Sequence, residues 1–287
     1  MTRLFAPALA CLLALLGPGL ARAHHVPGHG ASEGVRSINS LGNRGGKAGS
    51  RILLLDEFNW QPSAQTPGLR NELSLLGEYA PGAGFSFGGQ FPFAVIDEVG
   101  RPPVAGYGDT RAFVRFTPHA DKLIHRTLTF NLTASFPTRT VRVTVDPGRV
   151  WSATPSVIFT RTYGDWFWQA IALASVETRP AGIALDLSAG GQAGGKFAGG
   201  RVALGGGVIV DARAANWCSR PGGELEACTS SRAGEDQREP GSIRATALAT
   251  GSVNLDMRWS LIFGVQVPFT VKRDFDLGAT AGVQAVF

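Results

Sequence analysis

Apolar and polar residues alternate along most of the chain. In 127–136, TLTFNLTASF, Leu128, Phe130, Leu132, Ala134 and Phe136 share one face, while Thr127, Thr129, Asn131, Thr133 and Ser135 share the other. In 243–256 Ile243, Ala245, Ala247, Ala249, Val253 and Leu255 alternate with Arg244, Thr246, Thr250, Ser252, Asn254 and Asp256. Trp259, Leu261, Phe263, Val265, Val267 and Phe269 continue the pattern against Ser260, Gly264 and Gln266. A period of two marks β-strands. Each run is longer than the five or six residues of an average globular strand and long enough, at a tilt, to cross a bilayer. Weaker runs of the same kind fall near 51–60, 69–79, 83–93, 109–118, 149–161, 165–177, 182–190, 200–213 and 275–287. The expected fold is all-β: a transmembrane, antiparallel, up-and-down β-barrel of about twelve strands over 51–287. A soluble β-sandwich would leave the second face of these strands unexplained in water. With both termini on one side, the long connections (61–68, 94–108, 137–148, 214–242) fall mostly at the opposite end, as bacterial barrels require. Two connections fit less well: 178–181 is short, and the Gly-rich 191–199, read as a turn, is long. The stretch 138–146 alternates too and is read as a hairpin within a loop.

The N-terminus has a different character. MTRLFAPALACLLALLGPGLARAHH carries a basic Arg3, an apolar run to about Leu16, a Gly17-Pro18-Gly19 breaker and Ala21-Arg22-Ala23. That order of features is a secretory leader over 1–23. Losing Arg3 and Arg22 with it takes the formal charge from +5 to +3. The remaining basic residues are scattered, so no nucleic-acid partner is expected. Charged residues make up 17% of the chain and glycines number 38. No apolar run past the leader reaches a membrane helix's length. Residues 24–50 are rich in Gly, Ser and Asn without a hydrophobic period, and are read as a flexible periplasmic tail or a lumen plug.

The last residues, TAGVQAVF, place Thr280, Gly282, Ala285 and Phe287 in a pattern that resembles the C-terminal signal by which the assembly machinery recognises bacterial outer-membrane barrels. Trp60, Tyr79, Phe91, Phe93, Trp151, Trp166, Trp168, Trp259 and Phe275 lie near proposed strand ends, where interfacial belts use such rings. GYGDTRAFVRF (106–116), LTASFPTRT (132–140) and ATPSVIFTRTYGDWFWQAIALASV (153–176) are similar to segments of the outer-membrane transporters grouped with the meta-pathway of phenol degradation. Arg139 stands where that family tends to have glycine. The resemblance implies an outer-membrane barrel that passes small, often aromatic, compounds, with membrane lipid and the assembly machinery as its partners. The other readings are a non-conducting barrel that serves as a surface-binding scaffold, and a barrel that captures metal.

The candidate chemistry is sparse. By parity, Glu72, Glu78, Arg111, Arg115, Asp186, Arg244 and Asp256 point into the lumen, the less costly side for a charge. Cys218 and Cys228, in an exported polar loop, read as a disulfide. A metal at that pair would lack nearby His or further Cys. No cofactor is expected other than copper or zinc at the new N-terminus. There His24, His25 and His29 fall within six residues, and with a free amine on His24 they offer nitrogen donors suited to Cu(II), Ni(II) or Zn(II). The simpler reading of the same histidines is a polar linker that binds metal only incidentally. His119 and His125 sit on an expected turn, without the serine-acid company of a hydrolase. GGQAGGKFAGG lacks the ending of a phosphate loop. No enzyme is expected.

Overall fold

The computed structural model describes residues 49–61, 68–82, 84–100, 102–121, 126–140, 151–179, 182–219, 225–227, 241–270 and 276–287. They form fourteen strands: β1 Arg51–Gln61, β2 Gly68–Gly82, β3 Phe85–Glu98, β4 Val104–Tyr107, β5 Thr110–Asp121, β6 Arg126–Phe136, β7 Trp151–Tyr163, β8 Trp166–Arg179, β9 Gly182–Phe197, β10 Val202–Ser219, β11 Leu225–Ala227, β12 Ile243–Asn254, β13 Trp259–Pro268 and β14 Leu277–Val286. Each long strand pairs antiparallel with its neighbour, skipping only the short β4 and β11. β14 returns to β1 in a continuous register from Arg51↔Val286 to Trp60↔Leu277. The result is a closed twelve-stranded barrel, and closure leaves no edge among the twelve.

The twelve strands lie where the alternation predicts them, and two expected turns shrink. β9 runs on to Phe197, so the Gly-rich stretch is strand and the turn is only 198–201. β5 likewise runs to Asp121. All connections at the end bearing Arg51 and Val286, called here the terminal end, are therefore short. Those at the far end are mostly longer. Glycines in a row suggest a turn, whereas in β9 they make room for a neighbour. A Cβ on Gly194 would lie 2.6 Å from Phe167 Cζ and press on the Leu204 carbonyl oxygen. Of the stretch 138–146, residues 138–140 are not strand and the remainder lies outside the described residues.

β4 and β5 act as one strand interrupted at Gly108-Asp109. Both pair with β3, and the Gly108 N–H donates to the Pro92 carbonyl at 2.9 Å. The segment 137–140 braces this break. Tyr107 N–H donates to Thr140 Oγ1 at 2.9 Å, Thr110 N–H to Thr138 Oγ1 at 2.8 Å, and Arg139 N–H to Asp109 Oδ1 at 3.1 Å. The motifs GYGDT and FPTRT, distant in sequence, thus meet at the far end. Arg139 needs no glycine there: among the described non-glycine residues only Ala198 has a positive φ.

The barrel is inside-out by the standard of a soluble protein. Phe87, Phe91, Phe130, Leu132, Val208 and Val265 are exposed, whereas Glu72, Ser74, Thr129, Ser175 and Gln284 are buried. A broad apolar exterior with a polar interior suits a bilayer and would aggregate in water. Exposed rings gather at both rims: Tyr79, Tyr163, Trp166 and Trp259 at the terminal end, Trp60, Tyr107 and Trp151 at the far end. An apolar groove of about 610 Å³ is cut into the outer wall around Pro155 and Phe130. Pro155 lacks an N–H, and the β7–β8 ladder skips Thr154 and Pro155. Inside the wall Thr154 Oγ1 meets Ser175 Oγ at 3.0 Å.

Asp256 departs from its expected place. β12 ends at Asn254, and Asp256 is exposed in the turn to β13, where its Oδ1 accepts the N–H groups of Arg258 and Trp259, both at 2.7 Å. It caps a turn and does not line the lumen. The N–H of Trp259, then that of Arg258, holds its carboxyl below the ordinary value of 3.8. A depressed carboxyl stabilises the fold above its unfolded pKa and loses that contribution as pH falls through its folded one. Asp256→Ala therefore melts earlier than the parent at neutral pH. Thermal melts of the two proteins converge as the pH drops well below 3.8.

Candidate functional site

Among the described residues the lumen gathers polar side chains out of water, and their strand positions decide which of them meet. At the terminal end Glu78 of β2 accepts from Arg51 Nε of β1 at 2.6 Å and from Arg115 of β5 at 3.1 and 3.2 Å. β3 lies between β2 and β5. It presents Ser86, whose hydroxyl also donates to Glu78, and the bare Gly88, so Arg115 can reach over it. The Glu78 side chain has no exposed surface, and the two arginines are nearly as covered. One carboxylate thus holds two guanidiniums.

Further along the same wall, Glu72 is held by Arg70 and by Ser74 at 3.3 Å. Arg111 donates to Gln90 Oε1 at 3.4 Å. On the opposite wall, toward the far end, Arg213 of β10 grips Asp186 of β9 with two bonds, at 2.7 and 3.1 Å, and donates to Asn216 at 2.8 Å. The bulge between Arg213 and Ala215 turns Asn216 inward beside it. Asp211 accepts from Ser188, and Arg244 stands opposite Asp211 in the β10–β12 register. Between these charges runs a neutral ladder: Gln192 bonds Gln169 and Thr250, and Gln266 bonds Asn59.

The interior is not polar throughout. Ile158, Ile171, Leu173, Ile209 and Leu248 pack together from β7, β8, β10 and β12. Gly190 of β9 lies between them, and a Cβ there would come within 2.8 Å of Ile209. Leu53, Leu55 and Ile262 form a second buried apolar cluster, against which Leu76 packs. The lining therefore combines charged stations with apolar surface.

Of the residues expected in the lumen, Glu72, Arg111, Arg115, Asp186 and Arg244 stand on inward positions, and Asp256 does not. Sequence reading overlooked Arg51, Glu57, Glu177, Asp211 and Arg213, all buried. The same parity rule reaches them: Asp211 and Arg213 share the odd-numbered face of β10 with Ala203 and Ile209. The apolar clusters were hidden because an inward Ile and a lipid-facing Ile look alike in sequence.

In the final strand Thr280 and Gly282 face inward, and Ala285 is buried between its partners Trp259 and Ile52. Phe287 is exposed at the terminal rim, its N–H donating to the Ser50 carbonyl at 3.1 Å. Cys218 stands in β10 opposite Glu226 of β11. Its side chain, Cys228, the leader and His24, His25 and His29 all lie outside the described residues.

No protein-family profile matches the chain, and no curated protein does. Solved structures do. The crystal structure of an outer-membrane channel from Pseudomonas putida F1 superposes with a TM-score of 0.57 at 14% identity, covering 84% of this chain and 96% of that one. The NanC porin superposes with a TM-score of 0.50 at 7% identity, covering 83% and 100%. At such identities the likeness is one of fold: this chain is a β-barrel of the bacterial outer-membrane type.

Proposed function

We propose that the chain is an outer-membrane channel for small solutes, aromatic compounds among them. The observation that carries this reading is the lining: a closed barrel whose apolar exterior suits lipid encloses charged stations set beside buried apolar clusters. In this reading the interior side chains part as a solute passes, the charged groups meeting its polar atoms and Ile158, Ile171, Leu173, Ile209 and Leu248 its ring. The terminal end faces the periplasm in this reading, since its connections are the short ones. The channel structure from Pseudomonas putida F1 supports a conducting role by likeness of fold. Purified protein in planar bilayers should show discrete conductance steps, and liposomes containing it should take up small phenols. A barrel that stays sealed to ions and to phenols under every condition overturns the reading.

A second reading is favoured by the far-end extension, where β10 projects to Ser219 and pairs with β11. Here the barrel is a non-conducting scaffold. A polar surface segment, tied by a Cys218–Cys228 disulfide, is its contact site. Deleting 220–240 separates the two: unchanged flux supports the channel, while loss of surface binding from a barrel that never conducted supports the scaffold.

A further inference from the structure

We propose that Arg161 and Arg126 form a binding site for the phosphate of a membrane phospholipid, on the outer wall at the terminal-end rim. Arg126 opens β6, and Arg161 lies two residues before the end of β7. The register sets them directly opposite each other, and Trp168 of β8 stands opposite Arg161 on its other side. All three are on the lipid-facing parity, beside the exposed rings of Tyr163 and Trp166. This is the height at which amphipathic rings mark headgroups.

Two like charges facing each other across a ladder repel, and beside lipid there is little water to screen them. Asp121 occupies the register position opposite Arg126. The ladder neighbours of Arg161 on the same face are Arg126, Trp168, Phe159 and Tyr163, none of them acidic. Its guanidinium carbon lies 4.2 Å from the Tyr163 ring centroid. Stacking satisfies the face of the guanidinium and fixes its plane, but leaves its N–H edges. The Nε is buried with no acceptor. A donor out of water without a partner is costly, and a charge-assisted bond to a phosphate oxygen removes that cost. The anion present at this height in every bilayer is the lipid phosphodiester, delivered with acyl chains that suit the flanking aromatic wall.

The test is native mass spectrometry of the purified barrel with dioleoylphosphatidylglycerol, and separately with dioleoylglycerol, which has the same chains but no phosphate. The parent should retain the phospholipid and not the diacylglycerol. Arg161→Gln should lower phospholipid occupancy about tenfold or more, the scale of a lost charged hydrogen bond. Arg161→Lys, which keeps charge but loses the stacked fork, should fall between them. Arg139→Gln at the far end should match the parent. If Arg161→Gln fails to reach the heat-modifiable folded form, Arg161→Lys decides the matter. Retention by Arg161→Gln equal to the parent overturns the site. So does equal retention of the diacylglycerol, or displacement of the phospholipid by equimolar inorganic phosphate.

Discussion

Glu78→Ala is expected to destabilise the barrel by about 3–5 kcal/mol, the cost of removing one partner from a buried ion pair. Glu78 bonds both Arg51 and Arg115, and all three side chains are almost wholly covered. Without it two guanidiniums face each other in a low-dielectric interior, and the Ser86 hydroxyl loses its acceptor. Urea unfolding in vesicles measures the loss as a lower midpoint at unchanged slope. In planar bilayers the reversal potential under a salt gradient should also move toward anions, because the terminal mouth gains one uncompensated positive charge. Changing Glu78 to Leu together with Arg51→Met and Arg115→Met should recover most of the stability, since an apolar replacement of a whole buried cluster is far less costly than half of one. A single variant as stable as the parent would show that water, not the carboxylate, solvates these arginines.

Gly194→Val is expected to be comparably damaging for a steric reason, at about 3 kcal/mol, the upper part of the overpacking range. The new Cβ would meet Phe167 Cζ at 2.6 Å and Gly205 Cα at 2.7 Å, besides the Leu204 carbonyl. The last two contacts are backbone, so β9 and β10 must separate. Phe167→Ala in the same chain should therefore rescue little. Gly77→Ala is the control: nothing lies within 4 Å of a Cβ there and its φ is not positive, so it should be neutral or stabilise by about 0.4–1 kcal/mol through the unfolded chain. Refolding yield and the urea midpoint of the three variants check this. Equal behaviour of Gly194→Val and Gly77→Ala would contradict the close packing described.

The strands were legible because a barrel in lipid obeys a strict rule of two. Thr127 and Thr129 are buried and Phe130 and Leu132 exposed, as TLTFNLTASF predicts. What parity cannot tell is where a strand stops. Asp256 has the right parity for the lumen but lies past the end of β12, in a turn it caps. Parity also ignores size. The glycines of β9 read as a turn in sequence because the Phe167 ring that Gly194 accommodates sits on another strand. The partners of the charged residues were illegible for the same cause. That Arg115 reaches Glu78, thirty-seven positions away and two strands over, depends on the register and on the small residues of β3 between them.

The seam between β1 and β14 has a consequence for how the molecule comes into being. Gln266 donates to Asn59 at 3.3 Å across 207 positions of chain, and the β1–β14 ladder spans similar separations. Contacts so distant in sequence form slowly, because the intervening loop must be closed first. The seam also cannot start to form before residues 277–286 have been made and exported. Until then β1 and the last-emerged strand each present an open row of N–H and C=O groups, templates for mispairing with another copy. A chain stalled before β14 therefore keeps two unpaired edges and cannot close into a smaller barrel by the same seam.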